Sequence, residues 1–277
     1  MTGALCAVIL AAGAGRRLRP LTESTPKALC PVGNIPLLDR ALARLKHHGL
    51  SGPAMVAVNA CYLADQVIEH VGGRAFPSRE QGPPALGTSG AIGNLRPWIA
   101  DRAVLVGNAD CYLAARVPTR DDLAPLLHGW DGTTVRVLCV PAGDDQPEFE
   151  QLRFAGFSLL PARVAAGLAA TVSGLVETVW RPAERDGRLE LITFDGLYLD
   201  AGTPATYLAA NLHAAGPYSL VASDAIVDGT VEHSVVGAGA TVHGALKRSV
   251  VLPGGVVGSD EQLVDAIRSG SALTVRP

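Results

Sequence analysis

The stretch LCAVILAAGAGRRLRPLTESTPKALCPVGNIPLL, residues 5–38, is the part of the chain around which the rest is organised. Its apolar start, Leu5–Ala11, is typical of a buried strand in a parallel sheet. The apolar run ends at Gly13 and Gly15, and basic residues follow at positions 16, 17 and 27. Glycines let backbone N–H groups approach an anion, and nearby cations neutralise its charge. The stretch therefore predicts a strand followed by a loop that binds phosphate groups.

Two rival assignments of this stretch fail at particular positions. A dinucleotide-binding fingerprint would place a third glycine where Leu18 stands, and an acidic residue at the end of the second strand, which ends in Asn59 instead. A secretory signal would carry a basic residue before its apolar core, and none precedes Leu5. We therefore expect neither a nicotinamide dehydrogenase nor a cleaved leader.

The composition limits the classes of protein to consider. With 277 residues the chain can form one large domain, or one domain with an appendage, and its hydrophobic content of 48% suits a folded core. The net charge of -3 argues against a nucleic-acid partner, and no apolar run is long enough to cross a membrane. The five cysteines lack metal-ligand spacing, so we expect reduced thiols in a cytoplasmic protein.

Strand and helix patterns alternate after the loop, which favours a parallel α/β sheet. The predicted strands are Met55–Val58, Ala103–Val106, Thr133–Val140 and a hairpin of Leu189–Phe194 with Leu197–Leu199, and the predicted helices are Leu37–His48, Tyr62–Val71, Leu175–Arg185 and a last one ending at Leu212.

Two aspartates follow predicted strands. Asp110 comes shortly after Asn108, and ligands of open α/β sheets bind at the carboxyl ends of strands. Asp110 is therefore expected in the ligand-binding crevice. Asp200 precedes Gly-Thr-Pro at 202–204, where the spacing alone also suits a helix N-cap before a proline in the first turn.

The loop at 78–92 also suggests ligand contact, because glycines and small residues precede a helical run there. The Glu80 carboxylate can accept two adjacent donors of guanine, its N1–H and its exocyclic amine. Uracil presents one donor between two acceptors, which the Gln81 amide can pair. Glu80 can equally be a solvated loop charge, so the residues alone leave the base open.

These motifs resemble those of the sugar-1-phosphate nucleotidyltransferases, whose signature is roughly LAAGxGTRLRPLTxxxPKxLxPVxxxPLL. Nearly every position of that signature is met, and the departure is Arg16, where the family usually has Thr or Ser. Residues 78–92 are similar to the family's S-x-E…LGTAGAL segment, and residues 200–204 to its D-x-G-T-P block. The resemblance implies a Rossmann-like α/β/α nucleotidyltransferase domain, and it favours mannose-1-phosphate guanylyltransferase-like members with a short C-terminal left-handed β-helix.

The resemblance also implies the roles of individual residues. Arg17 and Lys27 would neutralise phosphates, while Asp110 and Asp200 would hold Mg²⁺, the implied cofactor. These four residues form the expected catalytic set. The expected nucleotide-binding residues are Leu10, Ala11, Ala12, Gly13, Gly15, Arg16, Arg17, Asn59, Glu80, Gly87, Thr88 and Asn108.

The side that would bind the sugar departs from the family. Relatives carry a Glu-Lys-Pro whose lysine binds the sugar phosphate, and this tripeptide does not occur in the chain. Arg153 can replace that cation, and Glu148 or Glu150 can meet sugar hydroxyls. Gly156 lies in FAGFSLL, which is similar to the family's F-x-G-x-S-L-L strand beside the sugar. The acceptor sugar therefore stays open.

The pattern changes after Gly216, which places the expected boundary between a catalytic domain, 1–216, and a tail, 217–277. The run A-x-V-x-G-x-V-x-x-S-V-V at 225–236 recurs at 240–251, a repeat that predicts about two β-helix coils, closed by a small helix at Gln262–Arg268. Two coils bury too little core alone, so we expect the tail to pack on the catalytic domain or on a second subunit of a homo-oligomer.

Together these features predict transfer of a nucleoside monophosphate from a triphosphate to a sugar 1-phosphate, with GTP as the favoured donor. A uridylyl- or thymidylyltransferase would differ in the base that the loop at 78–92 accepts. A catalytically silent relative would instead bind nucleotide sugars and regulate a partner protein.

Overall fold

A computed structural model describes residues 5–116, 122–143 and 145–277. Contacts divide the chain into two compact units. We call Met1–Ala14 with Leu38–Tyr198 the sheet unit, and Gly15–Leu37 with Leu199–Pro277 the tail unit. This division differs from the boundary predicted at Gly216, because the phosphate-loop residues and the helix before the tail group with the tail.

Up to residue 216 the strands and helices follow in this order. The strands are β1 Leu5–Leu10, β2 Pro31–Val32, β3 Ile35–Pro36, β4 Val56–Ala60, β5 Phe76–Arg79, β6 Ala103–Asn108, β7 Cys111–Ala115, β8 Val135–Pro141, β9 Leu152–Leu160, β10 Leu189–Thr193 and β11 Gly196–Asp200. The helices are α1 Leu37–His47, α2 Ala64–Val71, α3 Gly87–Asn94, α4 Arg96–Ile99, α5 Ala124–Leu127, α6 Ala162–Ala166, α7 Arg181–Arg185 and α8 Pro204–Ala215.

The sheet unit is built on a seven-stranded sheet in the order β10-β8-β9-β6-β1-β4-β5. β1 runs parallel to β4 and β6, which confirms the predicted parallel α/β core, while β9 is antiparallel to β6 and β8. The register places Leu10 beside Asn59 of β4 and beside Asn108 of β6. The carboxyl ends of these three strands therefore meet at one edge of the sheet.

The predicted hairpin of Leu189–Phe194 and Leu197–Leu199 is wrong. β10 pairs in parallel with β8 at the end of the large sheet, whereas β11 pairs with β7 in a separate two-stranded sheet. The buried Phe194 lies between the two strands in sequence. Both strands form as predicted, but each pairs with a strand that is distant in the sequence.

The tail forms three parallel ladders. Its strands are β12 Leu220–Val221, β13 Ile226–Val227, β14 Thr230–Glu232, β15 Val235–Val236, β16 Thr241–Val242, β17 Ala245–Lys247, β18 Val250–Val251, β19 Val256–Val257, β20 Gln262–Val264, β21 Ile267–Ser269 and β22 Leu273–Val275.

The ladders are β12-β15-β18-β21, β13-β16-β19 and β14-β17-β20, and β22 closes the first ladder in antiparallel pairing. The chain therefore makes three successive coils of three strands each, an arrangement consistent with a β-helix. This is one coil more than the two predicted. The helix predicted at Gln262–Arg268 is wrong, since that segment forms β20 and β21 instead.

Within the tail unit, the ladder that contains β15 packs against α8. Val236 and Val251 face the interior of the coils, whereas Val235 and Val250, which alternate with them, are only 1% exposed on the outer side. Asn34 Nδ2 also donates to the Val236 carbonyl at 2.9 Å. The outer face of this ladder is thus covered at β15 by α8, a helix that lies before the predicted boundary at Gly216.

The five cysteine thiols are free, as predicted. Burial raises the pKa of Cys6 to about 11, and the pKa values of Cys30 and Cys139 to about 12, so these thiols stay protonated near neutral pH. Among the described residues, we find no helix with the length and apolar character needed to cross a membrane.

Candidate functional site

A cavity of about 210 Å³ lies at the carboxyl ends of β1, β4 and β6, in the sheet unit. It forms where the register brings the three strand ends together, the place where open α/β sheets bind ligands. Seven of the predicted nucleotide-binding residues are among its walls. The lining residues are Leu10, Ala12, Gly13, Asn59, Ala85, Gly87, Thr88, Asn108 and Asp110.

Asp110 supplies the one ionisable side chain among the described residues that line this cavity. It lies two residues after the end of β6. The N–H of the intervening Ala109 donates to the Leu10 carbonyl at 3.0 Å, which ties the turn to the end of β1. A carboxylate at this position repels a polyphosphate unless a cation lies between them. The cavity by itself therefore favours a cation, and a polyphosphate would need one beside it to approach Asp110.

Gly13 lies in the wall of the cavity, and a methyl group added at its Cα would meet no protein atom within 4 Å. Its φ lies outside the left-handed region. We expect Gly13→Ala to keep or raise the free energy of unfolding, by up to about 0.4–1 kcal/mol, because alanine narrows the unfolded ensemble. Nucleotide affinity should fall by about 1–3 kcal/mol, because the methyl group occupies space that the ligand needs.

Calorimetry of unfolding and of nucleotide binding measures both effects of Gly13→Ala. Gly73→Ala is the matched control, since this exposed glycine also has open space around it and lies away from the cavity residues. Unchanged affinity in Gly13→Ala would show that no nucleotide passes over this glycine.

The glycines of α3 also make room for the neighbouring chain at 169–173, which the sequence pattern did not reveal. A Cβ at Gly87 would lie 2.5 Å from the Ser173 carbonyl oxygen, and Cβ atoms at Gly90 and Gly93 would collide with the backbone of Thr171 and Ala169. Of these three glycines Gly87 lines the cavity, and its close approach to a ligand stays a prediction. Gly90 and Gly93 are small because the chain at 169–173 packs on them.

Glu80 is buried, at 5% exposure, and both of its carboxylate oxygens accept protein hydrogen bonds. Oε1 accepts from Asn59 Nδ2 at 2.7 Å, and Oε2 accepts from the Leu86 N–H at 2.7 Å. Asn59 Oδ1 in turn accepts from the Ala11 N–H at 2.7 Å. The structure places Glu80 behind the cavity wall, and it is not among the lining residues.

Gln81, the next residue, is exposed, and its side chain has no hydrogen-bond partner in the part of the chain that the structure describes. Its amide can therefore pair with a ligand without breaking a protein contact. Ala85 is a cavity residue that the sequence analysis missed, although it stands directly before the Leu-Gly-Thr run within the segment similar to the family.

A cluster of opposite charges lies in the tail unit. Lys27 Nζ lies 2.9 Å from Asp200 Oδ1, and Arg17 Nη2 lies 2.8 Å from Asp200 Oδ2. The Lys27 side chain is 8% exposed and that of Arg17 69% exposed. Burial acts to raise the pKa of Asp200, but attraction by Lys27 and the hydrogen bonds from Lys27 and Arg17 outweigh it and lower the pKa. Asp200 is therefore ionised near neutral pH.

The geometry around this cluster explains why glycine stands at positions 15 and 202. Gly15 has a φ of +58°, which favours glycine, and the Thr22 hydroxyl donates to its carbonyl at 2.8 Å. A Cβ at Gly202, which the sequence analysis did not assign, would lie 2.8 Å from Asp200 Oδ1 and 2.9 Å from Arg17 Nη2. Gly202 thus leaves room for the ion pair, and Thr203 after it caps α8 together with Thr206.

The remaining predicted phosphate residue, Arg16, is exposed, and its side chain has no partner in the ranges that the structure covers. Gly15, Arg16 and Arg17 belong to the tail unit, whereas the cavity residues belong to the sheet unit. The predicted nucleotide-binding set therefore forms two groups in the structure, with Ala11 and Glu80 supporting the first.

The three predicted sugar-binding residues lie in or next to β9. Gly156 has a φ of +85°, and a Cβ there would lie 2.6 Å from Cys111 Sγ. The Arg153 guanidinium lies 4.9 Å from the ring centre of Tyr198 and 3.2 Å from Asp145. Glu148 Oε2 accepts from the Phe154 N–H at 2.8 Å. All three have local structural contacts, and their sugar-binding roles stay predictions.

The predicted Mg²⁺ ligands differ in how well they fit a metal. In the described ranges, no group of three or more His, Cys, Asp or Glu side chains could hold a metal ion. Mg²⁺ usually keeps several waters and uses one or two carboxylates with substrate phosphates, so a single carboxylate in the cavity is compatible with it. Asp110 fits that role, whereas each oxygen of Asp200 already bonds a cationic side chain.

Comparison with known proteins places these features in a family. The sequence model of the MobA-like NTP transferase domain matches residues 7–222. The chain belongs to this family. The match includes all four predicted catalytic residues and ends where the tail ladders begin, so the resemblance found in the opening stretch is confirmed.

Individual relatives agree with this membership. An N-acetylmuramate alpha-1-phosphate uridylyltransferase of Neisseria meningitidis serogroup B is 30% identical over 220 residues, which cover 71% of this chain and 93% of that protein. A mannose-1-phosphate guanylyltransferase of Mycobacterium tuberculosis is 32% identical over 146 residues, which cover 50% of this chain and 38% of that protein.

A crystal structure of a Bacillus anthracis protein, described as a glucose-1-phosphate thymidylyltransferase in complex with a sucrose, has a similar fold. The TM-score is 0.64 at 20% sequence identity, with coverage of 77% of this chain and 96% of the other. This likeness supports the fold alone.

Proposed function

We propose that the chain transfers a uridylyl group from UTP to a sugar 1-phosphate and releases pyrophosphate. The observation that carries the proposal is the cavity at the ends of β1, β4 and β6, with Asp110 in its wall, in a member of an NTP transferase family. An oxygen of the sugar phosphate attacks the α-phosphorus and forms a new O–P bond. The bond from that phosphorus to the bridging oxygen breaks, and pyrophosphate leaves with the electron pair.

The chain's own residues supply position and charge for this transfer. The backbone at Ala12 and Gly13 lets the triphosphate approach the end of β1. For Arg17 and Lys27 the proposal keeps the role expected from the sequence, which is to offset negative charge on the phosphates. Mg²⁺ would be held by Asp110 together with the substrate phosphates, where it would neutralise charge on them. The predicted second metal ligand, Asp200, would first have to release Lys27 or Arg17.

UTP replaces GTP as the favoured donor for three reasons. Glu80 is buried and does not line the cavity, and both of its oxygens accept hydrogen bonds within the protein, so it does not present the carboxylate edge that guanine recognition requires. Gln81 next to it is not a lining residue either, but it is exposed, and its amide can pair the single donor of uracil. The region similar to this chain also spans 93% of the uridylyltransferase relative but 38% of the guanylyltransferase relative.

Thermal unfolding with UTP, dTTP, GTP, ATP or CTP, each with Mg²⁺, tests the donor without knowledge of the acceptor. A ligand at a hundred times its dissociation constant adds about 2.7 kcal/mol to the free energy of unfolding. We expect this shift for UTP. A shift for GTP alone would restore the guanylyl alternative, and no shift for any nucleotide would contradict the enzyme proposal and favour a silent relative.

Pyrophosphate release then tests the acceptor. N-acetylmuramate α-1-phosphate, glucose 1-phosphate and mannose 1-phosphate are supplied in turn with the nucleotide that binds. We expect release with N-acetylmuramate α-1-phosphate, because the relative of that name is similar over nearly its full length. Nucleotide binding without release for any sugar 1-phosphate would contradict the transfer reaction.

A further inference from the structure

Three hydrogen bonds in the sheet unit form a continuous chain from one side of the cavity to the other. The Ala11 N–H donates to Asn59 Oδ1, Asn59 Nδ2 donates to Glu80 Oε1, and the Leu86 N–H donates to Glu80 Oε2, each at 2.7 Å. The Glu80 N–H also donates to the Ala60 carbonyl at 2.9 Å, which holds the residue at the end of β4.

Both ends of this chain lie between cavity residues. Ala11 stands between Leu10 and Ala12, which line the cavity on the side of β1. Leu86 stands between Ala85 and Gly87, which line it at the start of α3. A displacement of Ala11 or Leu86 therefore moves two lining residues at once.

The series of three hydrogen bonds requires a carboxylate at position 80. The Asn59 amide and the Leu86 N–H both donate to residue 80, so that side chain must supply two acceptors, as an ionised carboxylate does and a carboxamide does not. Because the carboxylate only accepts, it also orients Asn59, whose oxygen is left to face the Ala11 N–H. At 5% exposure for Glu80 and 2% for Asn59, water replaces neither partner readily.

We propose that Glu80 is a positioning residue, which through Asn59 and Leu86 holds both walls of the nucleotide cavity at the separation that the nucleotide needs. It does not read the base. The consequence for nucleotide binding rests on the proposed function, whereas the hydrogen-bond chain itself exists without a ligand.

The polarity of the chain provides a compensating pair of substitutions. Glu80→Gln leaves one donor facing another, at Asn59 or at Leu86, and Asn59→Asp brings two carboxylates together. In the double variant, the new carboxylate at position 59 accepts from the Ala11 N–H and from the new amide at position 80. The amide oxygen at position 80 accepts from the Leu86 N–H, so all three bonds are restored with the net charge unchanged.

The test measures UTP and GTP affinity by calorimetry, and amide hydrogen exchange at Ala11 and Leu86 in the ligand-free protein by NMR. We expect Glu80→Gln to weaken both nucleotides by the same factor, on the order of 10-fold, and to speed exchange at Leu86 or Ala11. The double variant should return amide exchange at Ala11 and Leu86 close to the wild-type rates; its affinity is not used, because the new carboxylate at position 59 lines the cavity. Glu69→Gln, on an exposed position of α2, is the control and should change neither.

Three results would overturn the proposal. Unchanged exchange and affinity in Glu80→Gln would show that the chain holds nothing in place. A change in the ratio of UTP to GTP affinity would assign Glu80 to base recognition. Failure of amide exchange to recover in the double variant would show that bond polarity is not the cause. If the wild type binds no nucleotide, the proposed function fails, while the exchange measurements still decide the role of Glu80.

Discussion

Asp110→Asn is expected to lower turnover at saturating substrate and Mg²⁺ by about 10²–10³-fold, the size of effect seen when one electrostatic group is removed from an active site. Asparagine keeps the shape of the side chain and removes its charge. Asp110 contributes the one ionisable group among the described residues lining the cavity, so the variant removes the site's own attraction for a divalent cation.

The same variant should reverse its effect when the metal is withdrawn. In a metal chelator the wild-type carboxylate repels the triphosphate, so Asp110→Asn should bind nucleotide more tightly than the wild type. With Mg²⁺ present it should bind more weakly. Calorimetric titration with and without the chelator measures this crossover.

The matched control for this charge removal is Asp101→Asn, at an exposed position before β6, which should behave as the wild type throughout. Turnover of Asp110→Asn close to that of the wild type, with the same Mg²⁺ dependence, would remove the metal role from Asp110.

Lys27→Met is expected to lower both turnover and stability. Turnover should fall by about 10²–10³-fold, because the cation would no longer offset phosphate charge. The free energy of unfolding should fall by about 1–3 kcal/mol. That loss is smaller than for a fully buried pair, since the Asp200 side chain is 34% exposed and keeps its bond to Arg17.

A double variant separates the two effects of Lys27. Lys27→Met with Asp200→Asn removes both charges, so it should regain part of the lost stability while turnover stays low. Chemical denaturation and pyrophosphate release measure the two quantities. Lys46→Met, which removes an exposed lysine of α1, is the control for charge alone. Wild-type turnover in Lys27→Met would show that this lysine serves only to hold Asp200.

The centre of the site could be predicted from the sequence because its signals are local. An apolar strand that ends at a glycine-rich turn, and two further strands that end in Asn59 and Asn108, are enough to predict one sheet edge. Parallel pairing then brings those ends together. Asp110 comes two residues after the end of β6, so its place at this edge can be predicted as well.

Glu80 shows what the sequence could not provide. The motif indicates that a carboxylate matters at this position, but a carboxylate that faces a ligand and one that accepts from Asn59 and Leu86 have the same sequence pattern. Only the three-dimensional positions of those two donors, which lie 21 residues before and 6 residues after Glu80, separate the two roles.

The tail shows the same limit for secondary structure. Residues 262–268 have a helix-like pattern, but Gln262–Val264 pairs with β17 and Ile267 pairs with Val250, so hydrogen bonds to earlier coils decide the conformation. The third coil was missed because the spacing between paired positions lengthens from Val235 and Val250 to Val250 and Ile267, which hides the repeat.

The composition of the tail unit has a consequence for how the protein is made. Lys27 and Asp200 are 173 positions apart, and a ribosome that adds about 5–20 residues per second needs roughly 10–35 s to translate that interval. During this time the β1 strand and its neighbours can emerge and pair, while Lys27 still lacks its carboxylate partner. A nascent chain that stalls before residue 200 therefore lacks the Lys27–Asp200 ion pair, and this part of the tail unit is completed late in translation.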